Sequence, residues 1–145
     1  MALVEKSVLI EYSAAQMYAL VEDVAAYPDF LPWCGGAEIL NKEGNMTRAA
    51  ITIDFRGIKQ RFSTENRAEP PQSIEMKLID GPFRKLDGSW RFKSLGDTAS
   101  KVEFRLHYEF SSKLLETVIG PVFHYIASTF VETFVKRAQQ LHGKR

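Results

Sequence analysis

The side chains that could carry out covalent or acid–base chemistry are few and scattered in this sequence. Cys34 is the only cysteine, and the histidines are His107, His124 and His142. A nucleophile needs a paired base, and a hydrolytic triad needs a histidine oriented by a carboxylate. None of these residues has such a partner nearby in the sequence, and no CxxC motif or cysteine–histidine cluster indicates a zinc site. We therefore interpret Cys34 as a small buried residue and expect binding rather than catalysis.

Two polar side chains, Thr64 and Asn66, stand at inward positions of an alternating strand. A buried amide without a partner costs about 1–3 kcal/mol. Asn66 should therefore bond either to the backbone near the strand end or to a bound ligand.

The segment YPDFLPWCGG, residues 27–36, is unusually apolar for a connection. Its two prolines remove backbone donors and favour extended neighbours, which predicts a loop. We expect Phe30, Leu31 and Trp33 to cover the mouth of a cavity as a lid hinged at the terminal Gly-Gly pair. The alternative is that these side chains plug the core directly.

Hydrophobic periodicity predicts how these residues are positioned. Period-two alternation predicts strands at about 3–11, 37–42, 46–55, 58–68, 74–78, 86–92 and 102–110. Serine caps predict a short helix after Ser13 and a long helix from Ser111 or Ser112 to about residue 142, kinked or broken at Gly120-Pro121. The pattern indicates an α+β fold: a curved antiparallel sheet of about seven strands wrapped around a long C-terminal helix, with a groove between them.

Inward-facing apolar residues of the strands and the long helix should fill or line that groove. Most should be core, and some should line a cavity. The candidates are Phe62, Met76, Trp90 and Phe104 on the sheet and Phe123, Ile126, Phe130 and Phe134 on the helix.

Length and composition limit the number of domains, the partners and the location that we expect. A length of 145 residues is typical of one domain, here expected to span 1–145. Nineteen basic and eighteen acidic residues give a formal charge of +1, which provides no general nucleic-acid footprint. The charged amino terminus does not resemble a signal peptide, and the apolar carboxyl-terminal region is interrupted by charges and Gly-Pro. We expect a cytoplasmic protein and leave peripheral contact with the inner membrane open.

Two motifs, YPDFLPWC and DGPFRKLDGSWRF (80–92), precede the ending SKLLETVIGPVFHYIASTFVETFVKRA. In this order they resemble the START-like (SRPBCC) helix-grip superfamily of polyketide cyclases and coenzyme Q-binding proteins, and most closely its ribosome association toxin group. The resemblance covers nearly the whole chain. It departs at Trp33, where the bacterial toxin-like members lead us to expect a small residue.

The resemblance implies a cavity for an apolar molecule, with ubiquinone or another prenyl quinone or lipid as bound ligand and no cofactor required. It implies a quinone chaperone that supports respiration. For such a ligand we expect inward-pointing Asn66 to bond a quinone oxygen and Phe83, in the turn after Asp80-Gly81-Pro82, to gate the cavity beside the lid. Aromatase or cyclase activity is disfavoured because no acid and base are paired.

For some bacterial members the resemblance also implies a toxin that binds the large ribosomal subunit and hinders subunit joining, and the two functions need not exclude each other. The candidate contacts are Arg56, Lys59 and Arg61, and a second basic group comprises Lys136, Arg137, Lys144 and Arg145. Acidic residues lie among these basic residues in the sequence. The alternative is therefore that both groups form an ordinary solvent-exposed surface without a partner.

Overall fold

The structure is a computed structural model that describes residues 2–143. Seven strands and two α-helices follow the predicted order. The strands are β1 (Ala2–Ile10), β2 (Cys34–Glu43), β3 (Met46–Phe55), β4 (Ile58–Glu69), β5 (Ser73–Asp80), β6 (Phe83–Ser94) and β7 (Ser100–Phe110). The helices are α1 (Ala14–Glu22) and α2 (Lys113–His142), and a 3-10 helix spans Val24–Asp29.

All seven strands form one antiparallel sheet in the order β1-β7-β6-β5-β4-β3-β2. Consecutive strands from β2 to β7 are neighbours, while β1 lies at the far edge beside β7, with Val4 opposite Leu106. The predicted α+β helix-grip architecture is confirmed.

Irregular pairing bends this sheet around α2. Register shifts occur at Cys34/Gly36 and Ile39/Asn41 in β2, at Ser63/Thr64 and at Phe83/Lys85. Bulges of this kind bend a strand and increase its twist. The concave face can therefore surround a helix while leaving space between sheet and helix.

Serine caps begin both helices, as the sequence predicts. The Ser13 hydroxyl accepts a hydrogen bond from the Gln16 backbone, and the Gln16 side chain accepts one from the Ser13 backbone, which forms a capping box. Ser112 accepts a hydrogen bond from the Leu115 backbone at the start of α2.

The sequence predicts a kink or a break at Gly120-Pro121, and the break does not occur, because the helix continues through Pro121. Buried Ile119 and Phe123 lie on either side of the proline, so packing against the sheet offsets the missing backbone bond. By length and composition α2 could cross a membrane, although its apolar face packs against the concave sheet.

Residues 27–36 are not a single loop. Tyr27 and Pro28 belong to the 3-10 helix, and β2 begins at Cys34. The predicted hinge is wrong, because the glycines are in a paired strand: a Cβ on Gly35 would lie 2.8 Å from the Cβ of Asp54. A side chain at position 35 would collide with Asp54, so glycine allows the two strands to lie close together.

Candidate ligand-binding site

An apolar cavity of about 70 Å³ lies between the concave sheet and α2. We call it the inner cavity. Its wall comes from β3 to β7, from α2 and from the segment between α1 and β2. Eight of the residues proposed from the sequence line it: Trp33, Phe62, Asn66, Met76, Phe104, Phe123, Ile126 and Phe130.

The other proposed ligand contacts lie elsewhere. Leu31 and Phe134 are buried in the core, and Phe30 packs against the Phe134 ring. Phe83 is the first residue of β6 rather than a loop residue, and only 5% of it is exposed. It stacks on Phe110 at a centroid distance of 5.0 Å, so a gating role for Phe83 does not fit the structure.

Sequence reasoning missed several wall residues for identifiable reasons. Val24 and Tyr27 line the inner cavity because they belong to the 3-10 helix, which periodicity did not reveal. Ala127 also lines it, beside Ile126 on α2, because a small side chain there leaves open space. Ile51, Leu86 and Leu106 complete the apolar wall, and the alternation of their strands could have identified them.

A second, wider space of about 260 Å³ adjoins the inner cavity, and we call it the outer pocket. It is lined by α1, by the turn between β2 and β3, and by β4 and β5. Trp90 lines this pocket rather than the inner cavity. The two spaces share four wall residues, Val24, Tyr27, Asn66 and Met76, which makes this shared wall the natural connection between them.

The polar groups of the inner wall are few and uncharged. Thr64 donates a hydrogen bond over 2.9 Å to the amide oxygen of Asn66, so the two predicted inward polar residues satisfy each other in part. The Tyr27 hydroxyl donates to the Val21 carbonyl. Burial, helped by the charge of Asp23, raises the pKa of Tyr27 well above its usual range, so this phenol stays neutral.

One ion pair stands at the rim of the outer pocket. The Lys42 ammonium lies 3.2 Å from a Glu22 carboxylate oxygen, which ties the end of β2 to the end of α1. Both side chains are substantially exposed, so the pair contributes little stability. It can nevertheless hold the rim in place.

Aromatic side chains fix the inner wall in position. The Phe130 ring lies 5.9 Å from Trp33, 5.6 Å from Trp90 and 5.6 Å from Phe104. Two turns earlier in α2, Phe123 packs edge-on against Tyr108 at 4.7 Å. The inner cavity therefore has an aromatic wall contributed by the middle of the helix and by the sheet.

The groups first considered for chemistry lie outside the inner wall. Burial raises the pKa of the Cys34 thiol and outweighs the lowering effect of the Gly36 backbone, so the thiolate is disfavoured. His124 pairs with the Tyr108 hydroxyl at 3.2 Å and is otherwise exposed. Within residues 2–143, no cluster of three histidine, cysteine or acidic side chains could hold a metal ion.

The proposed ribosome contacts lie near the turn between β3 and β4. Arg56 has a φ of 51°, and its guanidinium lies 4.9 Å from the Phe55 ring centre and 5.2 Å from that of Tyr125. Arg61 pairs with Glu38 at 2.9 Å, and exposed Lys59 follows one residue into β4. Of the second basic group, Lys144 and Arg145 lie outside the described residues.

This arrangement defines the class of protein: a seven-stranded sheet that grips one long helix over an internal apolar cavity, the START-like helix-grip fold. The chain matches the family model described as polyketide cyclase / dehydrase and lipid transport over residues 10–135, and it belongs to that family.

Among known proteins, it is 43% identical over 141 residues to the ribosome association toxin RatA of Vibrio cholerae, covering 97% of this chain and 98% of that protein. It is 28% identical over 145 residues to the mitochondrial coenzyme Q-binding protein COQ10 homolog B of Xenopus laevis, covering 97% and 59% of the two chains. The predicted relationship to the RatA group is confirmed.

Solved structures agree with the fold. An 18 kDa Caulobacter crescentus protein matches with a TM-score of 0.76 and 34% identity over 99% of this chain and 100% of that one. The Zhui aromatase/cyclase of a Streptomyces species matches with a TM-score of 0.80 and 16% identity, covering 96% and 94%. At 16% identity, the match to the aromatase/cyclase shows similarity of fold alone.

Proposed function

We propose that this protein binds an apolar small molecule, a prenylated quinone, between the sheet and α2 and shields or delivers it. The observation that carries this proposal is the inner cavity itself, whose wall holds only Thr64, Asn66, Tyr27 and Trp33 among apolar neighbours. Apolar burial supplies affinity in such a site, and a few polar groups supply orientation.

A quinone head group requires the two spaces to merge. The inner cavity of about 70 Å³ is smaller than the roughly 150 Å³ cavity that binds benzene in an engineered protein. Met76 belongs to the shared wall, and methionine is flexible enough to move aside. Movement of Met76 joins the inner cavity to the outer pocket, where the isoprenoid chain would lie.

The wall chemistry favours binding over catalysis. Among the residues that the structure describes, the inner wall contains no acidic, basic, histidine or cysteine side chain. General acid–base catalysis of an aromatase or cyclase type needs such groups within hydrogen-bond reach of the substrate. The name of the Xenopus laevis relative, a coenzyme Q-binding protein, supports a quinone as the ligand.

Delivery of a quinone requires contact with the membrane that contains it. Leu114 and Val118 are 72% and 50% exposed and lie one turn apart on the outer face of α2. Exposed apolar side chains at this spacing can enter a lipid surface. We therefore propose that the protein, expected in the cytoplasm, contacts the inner membrane peripherally through this face of α2.

Tryptophan emission tests quinone binding. A short-chain ubiquinone should quench the protein saturably, and Trp33→Phe should change the signal more than Trp90→Phe, because Trp33 lines the inner cavity. Quenching no greater than that of free tryptophan would remove the quinone proposal.

A second candidate function is association with the large ribosomal subunit. The 43% identity to a protein named ribosome association toxin extends over nearly the whole chain. Arg56, held over two aromatic rings in a left-handed backbone conformation, gives this candidate a local feature that could contact RNA. Cosedimentation with ribosomal subunits tests it.

A further inference from the structure

A surface groove lies beside the inner cavity. It has a volume of about 650 Å³ and follows about four turns of α2, from Tyr125 to Gln140, with the segment before β2 and the end of β3 on its other side. We call it the helix groove. Among residues 2–143, Trp33 alone lines both the inner cavity and the helix groove. This residue therefore forms the boundary between the two spaces.

The Trp33 side chain closes that boundary. Trp33 is 4% exposed, and its indole lies 5.9 Å from the ring of Phe130, which belongs to α2 and also lines the inner cavity. The indole thus reaches from the segment before β2 to the helix. Packed interiors leave few gaps wider than a water molecule, so a hydrocarbon chain in the inner cavity does not pass this contact into the helix groove.

Backbone hydrogen bonds hold Trp33 in place. Its carbonyl accepts a hydrogen bond over 2.8 Å from the Asp54 N–H group, which ties it to β3. On either side of it, the Cys34 N–H group donates to the Leu31 carbonyl at 3.0 Å, and the Leu31 N–H group donates to the Tyr27 carbonyl at 2.9 Å. A lid that swings open would have to break these bonds. Trp33 is therefore a fixed partition.

The boundary between the inner cavity and the outer pocket is different. It is formed by four residues, among them Met76, whose side chain is flexible enough to move aside. A chain that starts in the inner cavity therefore has a route into the outer pocket. At about 260 Å³, the outer pocket is less than twice the roughly 150 Å³ cavity that binds benzene in an engineered protein, so it has room for one chain rather than two side by side.

We propose that Trp33 restricts the site to lipids with one hydrocarbon chain and excludes lipids with two. This inference rests on the proposed function and deepens it by naming the class of lipid. A prenylated quinone has a single chain, whereas a diacyl lipid has two chains that need two spaces. Bilayers consist mainly of two-chain lipids, so their rejection allows a single-chain molecule to be taken up from a membrane.

The test compares two neutral lipids that differ in the number of chains. Calorimetry measures the binding of decylubiquinone, monooctanoylglycerol and dioctanoylglycerol to the unmodified protein. We expect the first two to bind. Dioctanoylglycerol should bind at least about tenfold more weakly than monooctanoylglycerol, because its second chain finds no apolar space and the first cannot enter without it.

Trp33→Ala joins the inner cavity to the helix groove and should raise the affinity for dioctanoylglycerol at least about tenfold, while decylubiquinone still binds. Ile126→Ala enlarges the inner cavity at a residue that does not line the helix groove, so it is the matched control and should leave dioctanoylglycerol excluded. Decylubiquinone binding shows that each variant is folded. Trp33→Leu, a smaller truncation, makes the same comparison if Trp33→Ala does not fold.

The outcomes separate this inference from the function on which it rests. Equal affinity of the unmodified protein for the two glycerides would overturn single-chain selection while quinone binding stands. A folded Trp33 variant that still excludes dioctanoylglycerol would also overturn it, as would an equal gain in Ile126→Ala. Failure of all three lipids to bind the unmodified protein would remove the proposed function, and single-chain selection with it.

Discussion

The hydroxyl of Thr64 lies 2.9 Å from the amide oxygen of Asn66, and both side chains belong to the inner cavity wall. They are two residues apart on β4 and therefore face the same side of the sheet. This pair is a polar point in a wall otherwise formed mainly of apolar and aromatic side chains.

The Thr64–Asn66 pair should behave as a unit. Asn66→Leu leaves the Thr64 hydroxyl, 6% exposed, without its partner and should lower the free energy of unfolding by about 1–3 kcal/mol. Thr64→Val combined with Asn66→Leu should recover most of that loss, because both polar groups are then absent. Urea unfolding of the parent, Thr64→Val, Asn66→Leu and the double variant measures the coupling, and strictly additive losses would refute it.

Filling the inner cavity should prevent quinone binding without unfolding the protein. Ala127 is 3% exposed and lines the cavity, so Ala127→Leu places extra methyl groups in the open space. We expect decylubiquinone affinity to fall at least about tenfold while thermal stability stays the same or rises. Ser128→Leu, at the next position of α2 and outside the cavity wall, is the matched control. Unchanged affinity in Ala127→Leu would locate the ligand elsewhere.

Removing the ion pair at the rim should speed ligand uptake. Lys42→Ala releases the end of β2 from Glu22, and the association rate of decylubiquinone in stopped-flow fluorescence should increase several-fold. Stability should change by less than about 1 kcal/mol, because the pair is exposed. Lys93→Ala removes a similar exposed pair with Glu103 at a different place and should leave the rate unchanged. If the two variants have equal rates, the ligand does not enter through this rim.

Ribosome association should depend on the β3–β4 turn. Arg56→Glu together with Arg61→Glu reverses two charges there and should abolish cosedimentation with the large ribosomal subunit. Arg84→Glu together with Arg91→Glu makes the same change in charge on β6 and serves as the control. A gradient profile that both double variants leave intact would exclude this surface.

Vesicle binding should depend on the outer face of α2. Leu114→Ser with Val118→Ser should reduce cosedimentation with anionic phospholipid vesicles several-fold, because two exposed apolar side chains are lost. Leu9→Ser with Leu95→Ser, exposed by 70% and 58%, removes similar apolar surface away from α2. Equal loss in both double variants would indicate nonspecific adsorption.

Strands that have one buried and one solvent-exposed face were predictable, and β7 is the clearest case. Alternation places Val102, Phe104 and Leu106 inward along β7, and all three are buried. The 3-10 helix carries no such period, since it is six residues long and contains Pro28. Its contribution to the wall, Val24 and Tyr27, could therefore not be read from periodicity.

The sequence also could not distinguish residues that line the cavity from residues that fill the core. Phe130 and Phe134 lie one turn apart on the predicted apolar stripe, yet Phe130 lines the inner cavity and Phe134 is fully buried beside it. The rings of Trp90 and Tyr27 contact both phenylalanines, whereas the Phe30 ring packs against Phe134 at 5.3 Å and, among the described residues, is not a ring contact of Phe130. Hydrophobicity is the same in both cases, and only packing distinguishes them.

The most direct test of ligand binding inside the grip is an intermolecular NOE experiment on the protein saturated with decylubiquinone. Quinone methoxy and ring-methyl protons should give NOEs to methyl groups of Met76, Ile126 and Ala127, which all line the inner cavity. NOEs confined to exposed side chains such as Leu114 and Val118, with none to these three methyl groups, would contradict binding between the sheet and α2.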